Sequence, residues 1–502
     1  MTDPTMARFG WLDMGVLVAY LAGTTWLGLR LGATQKDARD YFVADRAIPW
    51  WAVCFSIVAS ETSALTFISI PGLSWAGNLG FLQVVAGYIL GRIVVARVLL
   101  PRYFQGEIVT AYALLETRFG PETRRFTSVV FLVTRAMADA VRVFATAIPV
   151  ALIIGPVVPR EWSMPLAVLV LGLLTVLYTY RGGMRAVVWT ELVQAGVYVT
   201  GGLAALALIG AAQPDGWGGI LAKAGDAGKL AMLEFSLVKT QPHNVWAGLL
   251  GGGFLAMASH GTDQLIVQRL LSSRSLADAQ KALVTSGFIV FAQFTLFLLV
   301  GVGLWATYGD RTFSAPDQVF PTFIVESMPN GLLGLVLAAI VAATMSTHAG
   351  TINALAAATT HDLYLPLTGR SADDPRTLRT GKLFALLWGV GLTLGALLFK
   401  EQGTPVVVIA LSIASFTYGG LLGGFLLGIV WPRARQRDAI AGIATGIGVM
   451  ALVVFAKQLS GVLPALAPFV GIAWPWYVLI GTAITVTTGV LVSFLPRGAP
   501  AT

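Results

Sequence analysis

The stretch Ile57-Val58-Ala59-Ser60-Glu61-Thr62-Ser63-Ala64-Leu65-Thr66-Phe67-Ile68-Ser69-Ile70-Pro71-Gly72 sets a carboxylate and several hydroxyls within an apolar run and ends in Pro-Gly. A second stretch, Gly251-Gly252-Gly253-Phe254-Leu255-Ala256-Met257-Ala258-Ser259-His260-Gly261-Thr262-Asp263-Gln264, has three glycines at one end and a polar cluster at the other. Each stretch predicts a membrane helix that is interrupted near its middle. Interrupted helices at corresponding places in two halves of a chain indicate the binding site of a transporter. A single hydroxyl more often bonds back to its own helix, so the prediction rests on the cluster around Glu61.

The composition indicates a membrane protein. Hydrophobic residues make up 56% of the 502 residues and charged residues 12%, whereas soluble domains carry about 25% charged residues. The net charge of +8 is spread over short loops, which is typical of topology signals and argues against nucleic acid as a partner. With Cys54 as the single cysteine and four scattered histidines, neither an internal disulfide nor a zinc enzyme is expected.

We predict thirteen membrane spans, since a spanning helix needs about 20 apolar residues. The first apolar run lacks a preceding basic region and cleavage site, so we expect it to be retained. With the N-terminus outside, 20 of the 33 Lys and Arg residues fall in cytoplasmic loops and 8 on the other side. The positive-inside rule therefore predicts N-terminus out and C-terminus in. The predicted spans lie near 11–31, 47–76, 79–99, 125–155, 162–180, 185–212, 244–268, 283–308, 330–360, 380–400, 403–431, 438–458 and 473–495.

Five segments follow from this division. Residues 1–46 hold an extra N-terminal helix and a cytoplasmic loop, and residues 213–243 form an extracellular loop. Residues 47–212 and 244–431 form two five-helix blocks, each opening with an interrupted helix. Residues 432–502 supply two C-terminal helices.

Four further stretches make the chain resemble the sodium/solute symporter family, which includes the sodium/glucose, sodium/proline and sodium/iodide symporters. The resemblance implies a LeuT-like fold, in which two inverted five-helix repeats surround a central site with one extra helix in front and two behind. It also implies sodium-coupled solute uptake by alternating access. The stretches are Thr262-Asp263-Gln264-Leu265-Ile266-Val267-Gln268-Arg269 with Ser272-Ser273-Arg274-Ser275, Tyr103 to Gly120, Arg181-Gly182-Gly183-Met184-Arg185-Ala186-Val187-Val188-Trp189-Thr190-Glu191, and Ser346-Thr347 before Asp362-Leu363-Tyr364.

The same resemblance implies where sodium binds, between the interrupted first core helix and the eighth. Carbonyl oxygens and hydroxyls suit a hard cation, and they hold it without a fixed charge. The implied sodium ligands are the carbonyls of Ala59, Thr62 and Ala343 and the hydroxyls of Ser346 and Thr347.

A second sodium site, found in some family members, is put in doubt. It uses a further hydroxyl three residues before the Ser-Thr pair and an Asp on the fifth core helix. Here these positions hold Ala343 and Glu191. We therefore expect one sodium ion per cycle.

The substrate residues depart from those of the sugar symporters. Where those proteins read sugar hydroxyls, this chain has Glu61, Thr66 and Ala414, which makes glucose or galactose improbable. The candidate substrate residues are Glu61, Thr66, Gln83, Arg142, Ser259, His260 and Asp263.

Buried charges at Arg135, Asp139 and Arg142 leave two readings open. At spacings of four and three they share a helical face and suit mutual pairing. Alternatively, Arg142 reaches the cavity and binds a carboxylate through its two-pronged guanidinium, while Glu61 faces a substrate amine or attracts sodium. The set favours an anionic or zwitterionic solute.

The sequence thus predicts a sodium-coupled symporter of the bacterial inner membrane that binds Na⁺ and a small organic solute, with a monomer sufficient for transport. The alternatives are a sodium/sugar or polyol symporter and a sensor built on a transporter fold. An enzyme is not expected, because neither a nucleophile–base set nor a metal cluster stands out.

Overall fold

The computed structural model describes residues 9–31, 35–62, 64–106, 108–154, 158–313, 316–398 and 406–496. These residues form helices, and their one β contact is an isolated parallel bridge between Ile48 and Ser273. The principal helices are α1 (Trp11–Leu31), α2 (Trp50–Glu61), α3 (Ala64–Ala76), α4 (Leu82–Val98), α5 (Pro121–Ile154), α6 (Arg160–Ala211), α7 (Gly252–Gly261), α8 (Gln264–Leu271), α9 (Leu276–Tyr308), α10 (Leu332–Ala358), α11 (Pro375–Leu397), α12 (Val406–Val430), α13 (Gln436–Val454) and α14 (Trp476–Ser493).

Short helical segments connect them. The α-helical ones are Ala38–Val43, Leu100–Tyr103, Ala113–Phe119, Gly216–Asp226, Val319–Ser327, Leu365–Thr368 and Ala456–Leu459. The 3₁₀ segments are Ala44–Arg46, Pro316–Gln318 and Pro464–Phe469, and the π-helical ones are Ala247–Gly251 and Thr359–Tyr364.

Both helix interruptions predicted from the sequence are present. Between α2 and α3, Thr62 leaves the helix with φ −83° and ψ 98°. Between α7 and α8, Asp263 is extended at φ −81° and ψ 120°, and its side chain caps α8 by accepting from the Leu265 N–H at 2.8 Å. Such breaks free backbone groups, which membrane proteins tolerate where the backbone lines a cavity.

Seven helices within the described ranges are long and apolar enough to cross a membrane. One of them, α6, covers the fifth and sixth predicted spans and bends at Gly183, where φ is +53°. A Cβ at Gly183 would lie 2.4 Å from the Tyr41 carbonyl oxygen, so only glycine fits this turn. Each of the thirteen predicted spans overlaps a principal helix, and the span count and the orientation of the termini stay predictions.

The interior of the bundle is built on α10. Every residue from Ala338 to Ala358 is buried, and α10 packs against α5, α6 and α11. Its run of Ala, Gly, Ser and Thr allows close helix packing of the kind that membrane bundles use. In contrast to α10, α6 has an exposed face, formed by Leu166, Leu169, Leu173 and Leu177, as expected of side chains that contact lipid.

Glycines allow the second interrupted helix to pack directly against α4. A Cβ at Gly87 would lie 2.1 Å from the Gly248 carbonyl oxygen, and one at Gly91 would lie 2.2 Å from that of Gly253. The two backbones are therefore in direct contact. This approach brings Arg92, the next residue of α4, against His260 of α7.

Candidate functional site

A cavity of about 10 Å³, which we call the sodium cavity, lies beside the break between α2 and α3. This is close to the volume that a single water-sized occupant requires. Ala59 and Thr62 line it from the break, and Ala343 and Ser346 line it from α10. The structure thus brings four of the five predicted sodium ligands together around one small space.

The hydroxyl groups of α10 differ in their contacts. Ser346 Oγ donates to Glu191 Oε1 at 3.2 Å, so its lone pairs are left for another partner. Thr347 Oγ1 donates to the Ala343 carbonyl at 3.1 Å, and Thr347 is not among the residues that line the sodium cavity. The structure therefore supports Ser346 more directly than Thr347.

Three polar residues of the sodium cavity were missed by sequence reasoning: Gln194 and Tyr198 from α6 and Gln293 from α9. Each is at least 95% buried. A glutamine within an otherwise apolar span is the signal that would have identified them, since polar groups inside a membrane bundle are costly and tend to mark function.

A second cavity, of about 540 Å³, lies beside the two helix breaks and is called the central cavity here. Its volume falls within the usual range for small-molecule sites, about 300–1,000 Å³. Six of the seven candidate substrate residues line it, namely Glu61, Thr66, Arg142, Ser259, His260 and Asp263. The side chain of Ala414 is outside the described part of the structure.

Gln83 is the exception and has to be corrected. It does not line the central cavity; its Nε2 donates to the carbonyls of Gly80 at 3.0 Å and His243 at 3.1 Å. Its Oε1 accepts from the Glu234 N–H at 3.0 Å. With all three bonds directed to backbone, Gln83 fixes the loop before α7 to α4, and it is not positioned to bind solute.

Glu61 is held by two basic side chains. Its carboxylate pairs with Arg92, which is fully buried, and its Oε1 lies 3.1 Å from His260 Nε2. On the far side of the imidazole, His260 Nδ1 lies 2.8 Å from Ser259 Oγ. Arg92 is a site residue that sequence reasoning missed, and the glycine contact between α4 and α7 places it here.

Arg135 and Asp139 of α5 have partners on other parts of the bundle. Arg135 Nη1 lies 3.2 Å from Asp263 Oδ2, which also accepts from the Tyr418 hydroxyl at 2.8 Å. Asp139 Oδ2 lies 2.7 Å from His348 Nδ1. The ion pairs of Arg135 and Asp139 thus reach Asp263 and His348, outside α5. Arg142, one turn further on, lines the central cavity and is partly exposed.

Glu191 stands behind the sodium cavity in a network of its own. Arg269 forms a fully buried ion pair with it. The same carboxylate accepts from Ser56 and, at 3.2 Å, from Ser60 Oγ. Its charge is thus matched within the helix bundle.

Aromatic rings cover one end of the central cavity, called the His243 end here. Phe81 stacks on Phe294 with ring centroids 5.4 Å apart, and it meets His243 at 5.5 Å and Trp474 at 6.5 Å. All four line the cavity. Burial lowers the pKa of His243, so this imidazole is neutral at pH 7.

A further group of polar contacts surrounds Asp362. Arg124 Nε lies 2.7 Å from Asp362 Oδ1, and Ser128 Oγ donates to Oδ2 at 2.8 Å. Thr110 donates to the same carboxylate, and Arg124 also pairs with Glu116. These contacts, called the Arg124 cluster here, join the loop before α5 to the end of α10.

The four sequence stretches that carry the family resemblance contact one another. The Ala111 N–H donates to Gln264 Oε1 at 2.7 Å, and Arg269 pairs with Glu191. Ser346 donates to Glu191, and Thr110 donates to Asp362. Together they form the frame around the two cavities.

The sequence matches the model of the sodium:solute symporter family over residues 41–446. It is similar to the sodium/sialic acid symporter of Aliivibrio fischeri, with 27% identity over 96% of this chain and 93% of that protein. It is also similar to sodium-coupled monocarboxylate transporter 1 of Homo sapiens, with 28% identity over 86% of this chain and 71% of the relative. The sodium/iodide cotransporter of Homo sapiens is 28% identical over 88% of this chain and 69% of its own length.

Two solved structures share the architecture. The substrate-bound outward-open state of a Na⁺-coupled sialic acid symporter matches with a TM-score of 0.83 at 24% identity, over 97% of this chain and 99% of that one. A nucleobase-cation-symport-1 family transporter in a closed conformation matches with a TM-score of 0.54 at 13% identity, over 92% of this chain and 96% of that one. These matches confirm the expected LeuT-like fold.

Proposed function

Because the chain belongs to the sodium:solute symporter family and is a multi-pass membrane transporter coupled to Na⁺, we propose that it imports a small organic anion with one sodium ion by alternating access. The observation that carries this proposal is Arg142, partly exposed on the wall of the central cavity. A guanidinium in that place offers two parallel hydrogen bonds to a carboxylate.

The pairing of the cavity carboxylates favours an anion over a zwitterion. Glu61 is bound by Arg92 and His260, and Asp263 by Arg135 and Tyr418. A substrate amine would therefore meet carboxylates whose charges are already matched by groups of the protein.

The relatives support the same class of solute. Among them are symporters of sialic acid, a transporter of monocarboxylates and a cotransporter of iodide. These solutes are anions, and an arginine on the wall of the central cavity would bind a solute of the same charge in this chain.

The cavities suggest how access alternates. We propose that the His243 end faces outward, where the aromatic rings form the outer gate, and that the Arg124 cluster closes the cytoplasmic side. This orientation agrees with the predicted thirteen spans, with the N-terminus outside and the C-terminus inside. We further propose that the protein acts as a monomer in the bacterial inner membrane. The two repeats would comprise residues 47–212 and 244–431, with the loop 213–243 outside.

Charge balance gives the proposal a measurable consequence. One Na⁺ and one monovalent anion carry no net charge, so the membrane potential contributes nothing to accumulation. A tenfold sodium gradient then supplies about 1.4 kcal/mol, enough for roughly tenfold accumulation. A neutral or zwitterionic solute would also draw on the potential, about 2.3 kcal/mol per 100 mV.

Uptake into proteoliposomes tests the function. Purified protein is assayed with a panel of labelled carboxylates, their neutral amides, sugars and amino acids, under an inward sodium gradient and under a matched potassium gradient. Sodium-dependent uptake of a carboxylate, with no uptake of its amide, is the expected result. Sodium-dependent uptake of sugars or amino acids alone would overturn the proposed solute class.

A further inference from the structure

Gln293 of α9 lies on the wall of the sodium cavity and is 95% buried. Its Nε2 donates to Thr62 Oγ1 at 2.7 Å. Thr62 Oγ1 in turn donates to the Val58 carbonyl at 2.8 Å, across the last turn of α2. A glutamine from a different helix is therefore attached to the break that supplies two of the expected sodium ligands.

These two bonds fix which end of the amide faces Thr62. The single hydroxyl proton of Thr62 is given to Val58, so this hydroxyl can only accept from Gln293. The amide must then present its Nε2 to Thr62 and hold its oxygen elsewhere. The assignment of nitrogen and oxygen, which otherwise depends on the surrounding network, is settled by this chain of donors.

Within the described part of the chain, Gln293 Oε1 accepts no hydrogen bond although it is buried. The Tyr198 hydroxyl lines the same cavity and interacts with the Gln293 side chain, but neither this hydroxyl nor Oε1 has a hydrogen-bond partner of good geometry among the described residues. An unmatched buried acceptor is destabilising, and a bound ion is one partner that would satisfy it.

We propose that Gln293 is a sodium ligand, and that its Oε1 completes a coordination shell formed by Ala59, Thr62, Ala343 and Ser346. This inference rests on the proposed sodium-coupled function and extends it to a residue of α9. Amide and carbonyl oxygens are ordinary ligands of hard cations. Because Gln293 also donates to Thr62, binding of the ion at Oε1 would be linked to the backbone geometry of the helix break.

The test uses the full-length protein in liposomes and three substitutions. Gln293→Met keeps the volume and removes both polar atoms, whereas Gln293→Glu keeps the oxygen and removes the donor. Gln213→Met is the matched control, because Gln213 Nε2 also donates to a threonine hydroxyl, that of Thr307 at 3.2 Å, away from both cavities. The half-saturating sodium concentration of uptake and the sodium-induced rise in Tm are measured for each.

Gln293→Met should raise the half-saturating sodium concentration about tenfold, the factor expected for one lost polar partner, and should reduce the sodium-induced rise in Tm. Gln213→Met should stay close to the unmodified protein in both measurements, whereas Gln293→Glu should keep the sodium-induced rise in Tm that Gln293→Met loses, because a carboxylate oxygen can still bind the ion. If Gln293→Met fails to fold, Gln293→Glu carries the test.

An unchanged sodium dependence in Gln293→Met would mean that Gln293 does not bind the ion, which overturns the inference. Equal losses in Gln293→Glu and Gln293→Met would also overturn it, since only the bond to Thr62 would then matter. If the unmodified protein shows no sodium dependence, the proposed function itself fails.

Discussion

Glu191 and Arg269 form an ion pair in which both side chains are fully buried, with Arg269 Nε 3.2 Å from Glu191 Oε2. The other oxygen of the carboxylate accepts from Ser346 Oγ at 3.2 Å. Because Ser346 gives its proton to Glu191, its lone pairs remain for the sodium cavity. The negative charge of Glu191 is already matched by Arg269, so it is not left to hold a second cation.

We therefore expect the sodium dependence of uptake to have a Hill coefficient close to one. With an anionic solute, uptake should also be electroneutral and indifferent to an imposed potential. Initial rates measured against sodium concentration, with and without a potassium–valinomycin potential, check both points. A coefficient near two together with potential-driven uptake would show that a second ion binds.

Replacing only one member of the Glu191–Arg269 pair should lower the stability of the protein. Glu191→Gln leaves the Arg269 guanidinium buried without its counter-charge, and we expect a loss of about 3–5 kcal/mol in the free energy of unfolding. The double variant Glu191→Met with Arg269→Met should recover much of that loss, because no unmatched charge remains. Denaturant unfolding in detergent measures this, and equal stability of the single and double variants would contradict the argument.

The sequence predicted which residues form the site better than it predicted which distant residues they contact. Both helix breaks lie at the polar residues that interrupt the two apolar runs, beside Glu61 in one and at Thr262-Asp263 in the other, whereas Pro71 lies inside α3. Ala59, Thr62, Ala343 and Ser346 were placed by family position, and the structure gathers them around one cavity.

Pairings between distant helices could not be predicted. Periodicity places Arg135, Asp139 and Arg142 on one face of α5, but it says nothing about what packs there. His348 and Asp263 come from α10 and from the break before α8. Likewise, the sequence around Gln83 does not distinguish a substrate residue from a structural one. Only the tertiary structure shows that Gln83 bonds to backbone groups.

The two hydroxyls of the Ser-Thr pair should contribute unequally to sodium binding. Ser346→Ala removes a hydroxyl from the cavity wall, and we expect the apparent sodium constant to rise about tenfold, or ~1.4 kcal/mol. Thr347→Ala should do less, because that hydroxyl bonds to the Ala343 carbonyl. Uptake at varied sodium concentration measures each variant and the double variant. A double variant with normal sodium dependence would refute the site.

Glu61 should not select for amines. Its carboxylate is bound by Arg92 and His260, so Glu61→Gln should lower stability, since fully buried Arg92 loses its counter-charge. Discrimination between a carboxylic acid and its α-amino derivative should stay the same. Tm and competition assays on one preparation separate the two effects. A selective loss of the amino derivative would show that Glu61 contacts a substrate amine.

Arg142 should determine the charge of the solute. Arg142→Gln should fold and keep its sodium-induced rise in Tm, because Arg142 is partly exposed in the central cavity and lies outside the sodium cavity. Its affinity for the carboxylate should fall by about 2–5 kcal/mol, the usual cost of breaking a charged pair at a binding site. Arg142→Lys should retain part of that affinity, as a single charge without the two-pronged geometry.

Arg135→Gln is the matched control, from the same face of α5. Arg135 is 8% exposed and pairs with Asp263, so its loss should appear mainly in Tm, with both the acid and its amide affected alike. Thermal unfolding and solute binding are therefore measured on both variants. If Arg142→Gln were unstable while its solute preference stayed normal, Arg142 would be a structural residue like Arg135. If it were stable and carried the acid normally, the carboxylate would have to be bound by another donor of the cavity, with His260 and Ser259 the next to be replaced.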